Sequence, residues 1–396
     1  MLYRKAPGTG DELSVLGFGC MRLAQKDGRI DEERAARQIR RAIEGGVNYV
    51  DTAWPYHGGE SEPFTGRALA GGCRERVKLA TKLPSWLVKS RADMDRFLDA
   101  QLQRLATSRI DYYLVHSLNG DAWDRVAALG VAGFLDRAKS DGRIVNAGFS
   151  FHGIREDFKR IVDAYPWGFC QIQYNYLDQE HQAGSEGLKY AASKGLGVIV
   201  MEPLRGGVLA ASPPPAIDAL WREAERRRTP AEWALRWVWN HPEATVVLSG
   251  MNHEAQIEEN LRIAADARPG SLTAAELDLI GRVTRKYREI MKVACTGCGY
   301  CQPCPSGVDI PGVFDIFNAF HTFGKTQEAG FLYALRAGGV VSGHPGYASL
   351  CSRCLDCLEK CPQDLEIPDL LEQVAAEFEG DGLREREAMV RRLFAA

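Results

Sequence analysis

The stretch DEERAARQIRRAIEGGVNYVDTAWPY, residues 31–56, decides the fold. Its first half places apolar side chains three to four residues apart, the spacing of one helix face, and Gly45-Gly46 then stops it. NYVDTA (48–53) follows as a short β-rich run, apolar without strict alternation, as in a parallel strand covered on both faces. VLGFGCM (15–21) stands before the helix, so the unit is strand, helix, strand. Working outward, the same kind of run recurs as VKLATKL (77–83), DYYLVHS (111–117), IVNAGFS (144–150), FCQIQYN (169–175), GVIVMEP (197–203) and ATVVLSG (244–250). Eight strands, seven intervening helices and an eighth helix at 254–265 predict an α/β fold, a (β/α)8 barrel of the TIM type. A doubly wound sheet shares the alternation, but no G-x-G-x-x-G follows the first strand.

The chain has 396 residues, 45% apolar and 26% charged, with a net charge of −3. That balance gives no reason to expect nucleic acid or an anionic membrane as partner. The start carries no apolar leader pattern, and no run of 18 apolar residues occurs, so a cytoplasmic protein with no membrane partner is expected. Arg226-Arg227-Arg228 reads as a solvated helix face, and the Pro-rich 211–216 as a loop after the seventh strand. Eight of the eleven cysteines fall in two late runs, which favours metal over disulfides; Cys20, Cys73 and Cys170 read as small buried residues. A helix at 273–291 leads into the first run. The expected division is therefore a barrel over residues 1–290 and a second domain over 291–396.

Chemistry in such barrels collects at the C-terminal ends of the strands. Asp51 ends the second strand, with Tyr56 five residues on; Lys82 ends the third and His116 the fourth. A tyrosine with a pKa near 10 is a poor acid at neutral pH, so a neighbouring ammonium must favour its ionised form. Lys82 can supply that charge, Asp51 can hold Lys82, and His116 can orient a carbonyl oxygen. The set suits proton delivery to an oxygen while hydride reaches carbon. Trp54 and Trp86, close to these loops, are expected as pocket walls.

At these residues the chain resembles the aldo-keto reductase family. The likeness runs from YRK (3–5) and the GxxxSVLGxG opening through DTAxxYHGGESE, the four catalytic candidates, GFSFH, QIQYN and GVIVMEPLRGG to Gly250 and Asn260. It implies an oxidoreductase acting on a small carbonyl or alcohol, with a nicotinamide cofactor extended across the barrel mouth. Gly19, Met21, Asp51 and Leu204 would belong to its site, with Ser150 and Gln171 on the carboxamide and Met201 under the ring. Gly250, Asn252, Gln256, Glu259 and Asn260 would hold the adenosine end. Three departures stand out: Met201 replaces the usual aromatic residue, beside Glu202; Phe151 replaces a frequent Asn; and no basic residue stands at Gly250 or Gln256. NAD(H) is therefore favoured over NADP(H), although Arg205 could contact the 2′-phosphate from another loop. An acidic residue so near the ring leaves room for a flavin.

The first cysteine run is C-x2-C-x2-C-x2-C-P: Cys295, Cys298, Cys301, Cys304. The second is C-x2-C-x2-C-x3-C-P: Cys351, Cys354, Cys357, Cys361. Zinc sites come as separate C-x2-C pairs; triplets with a remote fourth ligand point to two [4Fe–4S] clusters. CPSGVDIP (304–311) repeats as CPQDLEIP (361–368), so the module is duplicated. It resembles two-cluster ferredoxins, the α-helical kind in particular, because VFDIFNAFHTFGK and EAGFLYALRAGG between the runs read as helices. That likeness implies crossed ligation, with Cys361 on the first cluster and Cys304 on the second; the shortened third spacing of the first run is a departure from it. A one-electron carrier such as ferredoxin is the implied partner. Two rival readings remain open: a nucleotide-bound redox-sensing or electron-transfer subunit, and a plain carbonyl reductase whose clusters are structural.

Overall fold

A computed structural model of the chain describes residues 1–323, 327–339 and 344–394. They group into two compact units, Met1–Leu204 with Ala231–Leu277, and Arg205–Pro230 with Asp278–Ala396. The first unit is a closed barrel of eight parallel strands in sequential order. These are β1 (Leu16–Gly19), β2 (Tyr49–Asp51), β3 (Lys78–Leu83), β4 (Ile110–Leu118), β5 (Ile144–Phe151), β6 (Phe169–Gln173), β7 (Gly197–Met201) and β8 (Ala244–Ser249). All eight expected strands are present. Helices connect them, among them Glu32–Glu44, whose buried residues Ala35, Gln38, Ile39, Ala42 and Ile43 fall on one face. Asp31 caps it by accepting from the Arg34 backbone N–H.

The sequence reading passed over an antiparallel hairpin, Tyr3–Lys5 with Glu12–Ser14. Ala6 and Leu13 are buried in one cluster with Tyr49, Phe169 and Val246. Tyr49 and Phe169 open their strands, so the hairpin closes the N-terminal end of the barrel. At its turn a Cβ on Gly8 would come within 2.2 Å of the Gly168 carbonyl oxygen, which only glycine avoids. Chemistry is left to the C-terminal end.

The second unit contains helices Ile310–Phe323, Gln327–Ala337, Ile367–Phe378 and Leu383–Phe394. Gly324 and Lys325 of the expected VFDIFNAFHTFGK helix lie outside the described residues. The repeated Ile-Pro dipeptide opens a helix in each half, at Ile310 and at Ile367, where proline's fixed φ and missing N–H cost nothing. Val308, Phe314, Phe317, Tyr333, Leu371 and Phe378 form the core, and Cys295, Cys301, Cys304, Cys351 and Cys361 pack against it. The Pro-rich 211–216, expected as a loop, contains the start of helix Pro215–Trp221; the surrounding Arg205–Pro230 groups with this unit. Arg226 and Arg227 are exposed as expected, but the arginine run lies beyond that helix, not on it. Thr229 precedes Pro230, a position that disfavours the helical conformation.

Candidate functional site

Strand register assembles the catalytic candidates. Asp51 pairs with Ala80, and Lys82 and Leu83 pair with Leu114 and Val115, so Asp51, Lys82 and His116 crowd the ends of three adjacent strands. Lys82 is 1% exposed and donates from Nζ to Asp51 Oδ1 at 2.6 Å and to the Thr52 carbonyl at 2.8 Å. Its nitrogen stands 5.1 Å from the centroid of the Tyr56 ring. The Tyr56 and His116 rings meet edge to face at 6.2 Å. All four candidates are thus brought together.

The electrostatics follow from burial. Burial pushes the Asp51 carboxyl up from its ordinary value, and the Lys82 ammonium pulls it back down. His116 is held well below the usual histidine range by burial, with Lys82 adding to the effect, so it is a neutral imidazole. Removing either member of the Asp51–Lys82 pair would strand a buried charge, a loss of about 3–5 kcal/mol.

A layer beneath these groups escaped the sequence reading. Fully buried Glu62 accepts from Thr81 Oγ1 and from Gln101 Nε2, both at 2.6 Å, and Gln101 also donates to the Lys82 carbonyl at 3.0 Å. The strand segment bearing Lys82 is thereby fixed. The signal was present in the second Glu of GGESE, but only contact with β3 shows its purpose. Trp86 lies 5.1 Å from the His116 ring and is 42% exposed, as a pocket wall would be. Trp54 is occupied otherwise, with the Arg104 guanidinium 3.6 Å above its ring and Phe97 against its edge. His152, one residue past β5, is half-buried, and loss of solvent around its ring lowers it to about 4.

The residues assigned to a nicotinamide fall on the same rim. Ser150 and Gln171 are register partners on β5 and β6, and among the described residues the buried Gln171 Oε1 has no hydrogen-bond partner. An orphaned amide oxygen at the barrel mouth fits a carboxamide that donates to it. Ser150 Oγ accepts from the Ser117 N–H at 2.7 Å. Met201 ends β7, and Gly19 backs onto Ser249 and Gly250. Asn260 donates to Ser249 Oγ at 3.2 Å, while Gln256 Oε1 accepts from the backbone N–H groups of Asn252 and His253. Met21 and Leu204 lie just past β1 and β7, and Glu259 on helix Glu254–Ala264. Arg205 is 3% exposed, donating to Met291 Sδ at 2.7 Å and to the Ala294 carbonyl at 3.2 Å.

In the second unit the thiols ring two cavities. One is lined by Cys295, Cys298, Cys301 and Cys361, with Pro362 beside them. The other is lined by Cys301, Cys304, Cys351, Cys354 and Cys357. Cys361 of the second run thus joins the first run's cavity and Cys304 of the first run joins the second run's, while Cys301 lines both. Ser306 and Ser352, 2.7 Å apart, tie the two runs together. Among the described residues no three His, Cys, Asp or Glu side chains converge on a single-ion site. Quartets spread around a cavity are what a cubane needs.

Against known families, residues 15–269 match the model of the aldo/keto reductase family, and residues 294–366 match that of a 4Fe-4S dicluster domain. L-galactose dehydrogenase of Arabidopsis thaliana is 27% identical over 282 residues, 65% of this chain and 86% of that protein. Among solved structures, the holo form of aldo-keto reductase AKR11C1 from Bacillus halodurans is 27% identical with a TM-score of 0.60, covering 72% of this chain and 96% of that one. An aldo/keto reductase from Klebsiella pneumoniae, solved with NADP and acetate, is 23% identical with a TM-score of 0.58, covering 71% and 95%. The closed barrel, the four groups at its strand ends and the family match agree: the chain belongs to the aldo/keto reductase family, and carries a C-terminal 4Fe-4S dicluster domain.

Proposed function

We propose that this protein interconverts an alcohol and a carbonyl by hydride transfer with a nicotinamide cofactor, and that two [4Fe–4S] clusters link that chemistry to a one-electron carrier such as ferredoxin. The observation that carries the reading is the Lys82 ammonium, fixed 2.6 Å from Asp51 and 5.1 Å from the Tyr56 ring, in a chain that also holds two cysteine quartets. When bound, the nicotinamide supplies or takes up the hydride and the clusters carry single electrons.

The protein's own residues handle the proton. Lys82 spends two of its three N–H donors on Asp51 and Thr52, which holds its charge beside Tyr56 and favours the phenolate. Tyr56 then gives its proton to a carbonyl oxygen, or takes one from an alcohol, at neutral pH. Neutral His116 donates a hydrogen bond to the same oxygen, and Trp86 shields that side from water. Gln171 Oε1 and Ser150 orient the carboxamide. His152 suits a substrate with a second oxygen, and the L-galactose dehydrogenase relative makes an aldose the first substrate to try.

Tyr56→Phe should lower kcat at least about a hundredfold and leave nicotinamide binding intact, as expected when a general acid is removed. Near-wild-type turnover would place the acid elsewhere.

NADH should bind about tenfold or more tightly than NADPH, because residues 250–260 hold no Lys or Arg to pair with a 2′-phosphate. Glu254 pairs bidentately with Arg34 and Glu258 with Arg41, so those two arginines are already engaged. Fluorescence titration of the two nucleotides decides it, and a preference for NADPH would contradict the assignment.

A further inference from the structure

The residues that follow Tyr56 do not hold themselves in place. The backbone is left-handed at three positions running, His57 at φ 52°, Gly58 at 64° and Gly59 at 96°. For His57, which carries a Cβ, that conformation persists only where the surroundings enforce it. One anchor is the His57 ring, which accepts the Leu23 N–H at 3.3 Å and stands 2.9 Å from the Gln25 amide. The other is Trp54, two residues before Tyr56. The Arg104 guanidinium lies 3.6 Å from the centroid of its ring, and Phe97 packs against its edge at 5.0 Å. A guanidinium stacks on an indole and is attracted by its ring electrons.

Arg104 ends helix Arg91–Arg104 and reaches the lysine side of the site as well. Its Nη1 donates to Glu62 Oε2 at 3.3 Å. Through its other oxygen, buried Glu62 accepts from Thr81 Oγ1 and Gln101 Nε2, and Gln101 Nε2 also donates to the Lys82 carbonyl. The Tyr113 hydroxyl donates to Gln101 Oε1 at 2.8 Å and fixes that amide. Helix Ser61–Ala68 can bring Glu62 this close because Gly66 meets the end of the Arg104 helix. A Cβ on Gly66 would lie 2.7 Å from the Leu105 carbonyl carbon and 2.9 Å from the Arg104 carbonyl oxygen. One guanidinium therefore ties the Tyr56 segment, through Trp54, to the strand that carries Lys82, through Glu62.

We propose that Arg104 is a positioning residue of the active site, holding the Tyr56 hydroxyl within reach of the Lys82 charge. Asp51 and Thr52 fix the lysine nitrogen, so its distance from Tyr56 depends on where the loop sits. With Trp54 released the loop swings out, the field of Lys82 at the phenol weakens, and the tyrosine becomes a weaker acid.

The role rests on Tyr56 as the proton donor, which turnover of Tyr56→Phe tests separately. Ultraviolet tyrosinate absorbance is titrated with pH in wild type, Arg104→Met and Arg104→Lys, and Tyr56→Phe in each background identifies the Tyr56 step by its loss. In Arg104→Met that step should move up by about one pH unit, which is about tenfold in acid strength. Arg104→Lys keeps a cation for both Trp54 and Glu62 and should recover most of the rise. Turnover of glyceraldehyde with NADH should fall roughly tenfold in Arg104→Met, with KM and NADH affinity held within about twofold. The double variant should be no slower than Tyr56→Phe alone, because both changes act on one group. An unmoved Tyr56 step in Arg104→Met would overturn the proposal, as would equal rises in the Met and Lys variants. A further loss of roughly tenfold in the double variant would place the effect elsewhere and overturn it too. If Arg104→Met does not fold, Trp54→Leu releases the same contact from the loop side and should give the same rise. Wild-type turnover in Tyr56→Phe would remove the reading of Tyr56 as the acid, and this role of Arg104 with it.

Discussion

Two imidazoles, buried His116 and half-buried His152, stand neutral at the barrel mouth. His116 follows from the strand-end rule; His152 does not, since a histidine after GFSF reads from sequence as an ordinary loop residue. Burial separates the two cases, and burial depends on how strands four and five close on each other: the His152 N–H donates to the Leu118 carbonyl at 2.7 Å. The sign of the resulting pH effect is fixed. Burial lowers His152 from 6.5 to about 4 in the folded state, so between those values the unfolded chain binds more protons. Stability is complete above about 6.5 and falls as pH drops toward 4. His152→Gln should flatten the decline of Tm between pH 6.5 and 4.5, measured by circular dichroism of the wild type and the variant. Identical slopes would show that His152 titrates normally in the fold.

At the scale of the elements, each strand could be read because parallel strands buried on both faces are written as short apolar runs. The N-terminal hairpin could not, because strands of three residues carry too little pattern and their role is to close the barrel floor. Glu62 and Gln101 were equally illegible, since their purpose appears only where they meet β3. The cysteine runs were the most legible feature, because ligand spacing is written directly in the chain. What spacing alone could not establish is which thiols share a cavity. In the fold, Cys361 stands with Cys295, Cys298 and Cys301, and Cys304 with Cys351, Cys354 and Cys357, in a cavity that Cys301 also lines. Cys361→Ala should therefore damage the cluster built on the first run, and Cys304→Ala the one built on the second. Iron counts with EPR of each variant separate the cases. Damage confined to the mutated run in both variants would contradict crossed ligation.

For the whole molecule the question is how a barrel built for hydride meets a module built for single electrons. A hydride equivalent is two electrons and a proton, and a module with two clusters holds two electrons, one on each. A purely structural staple needs one cluster, whereas a store for a hydride's electron pair needs two. In the proposed mechanism the proton has its own place on Tyr56, beside the Lys82 charge. The most direct test is EPR of the anaerobic protein after addition of NADH alone. Cluster signals should rise to the intensity that a strong chemical reductant gives. Clusters that answer only to the chemical reductant, while NADH still binds, would contradict the link and leave the dicluster domain a structural one.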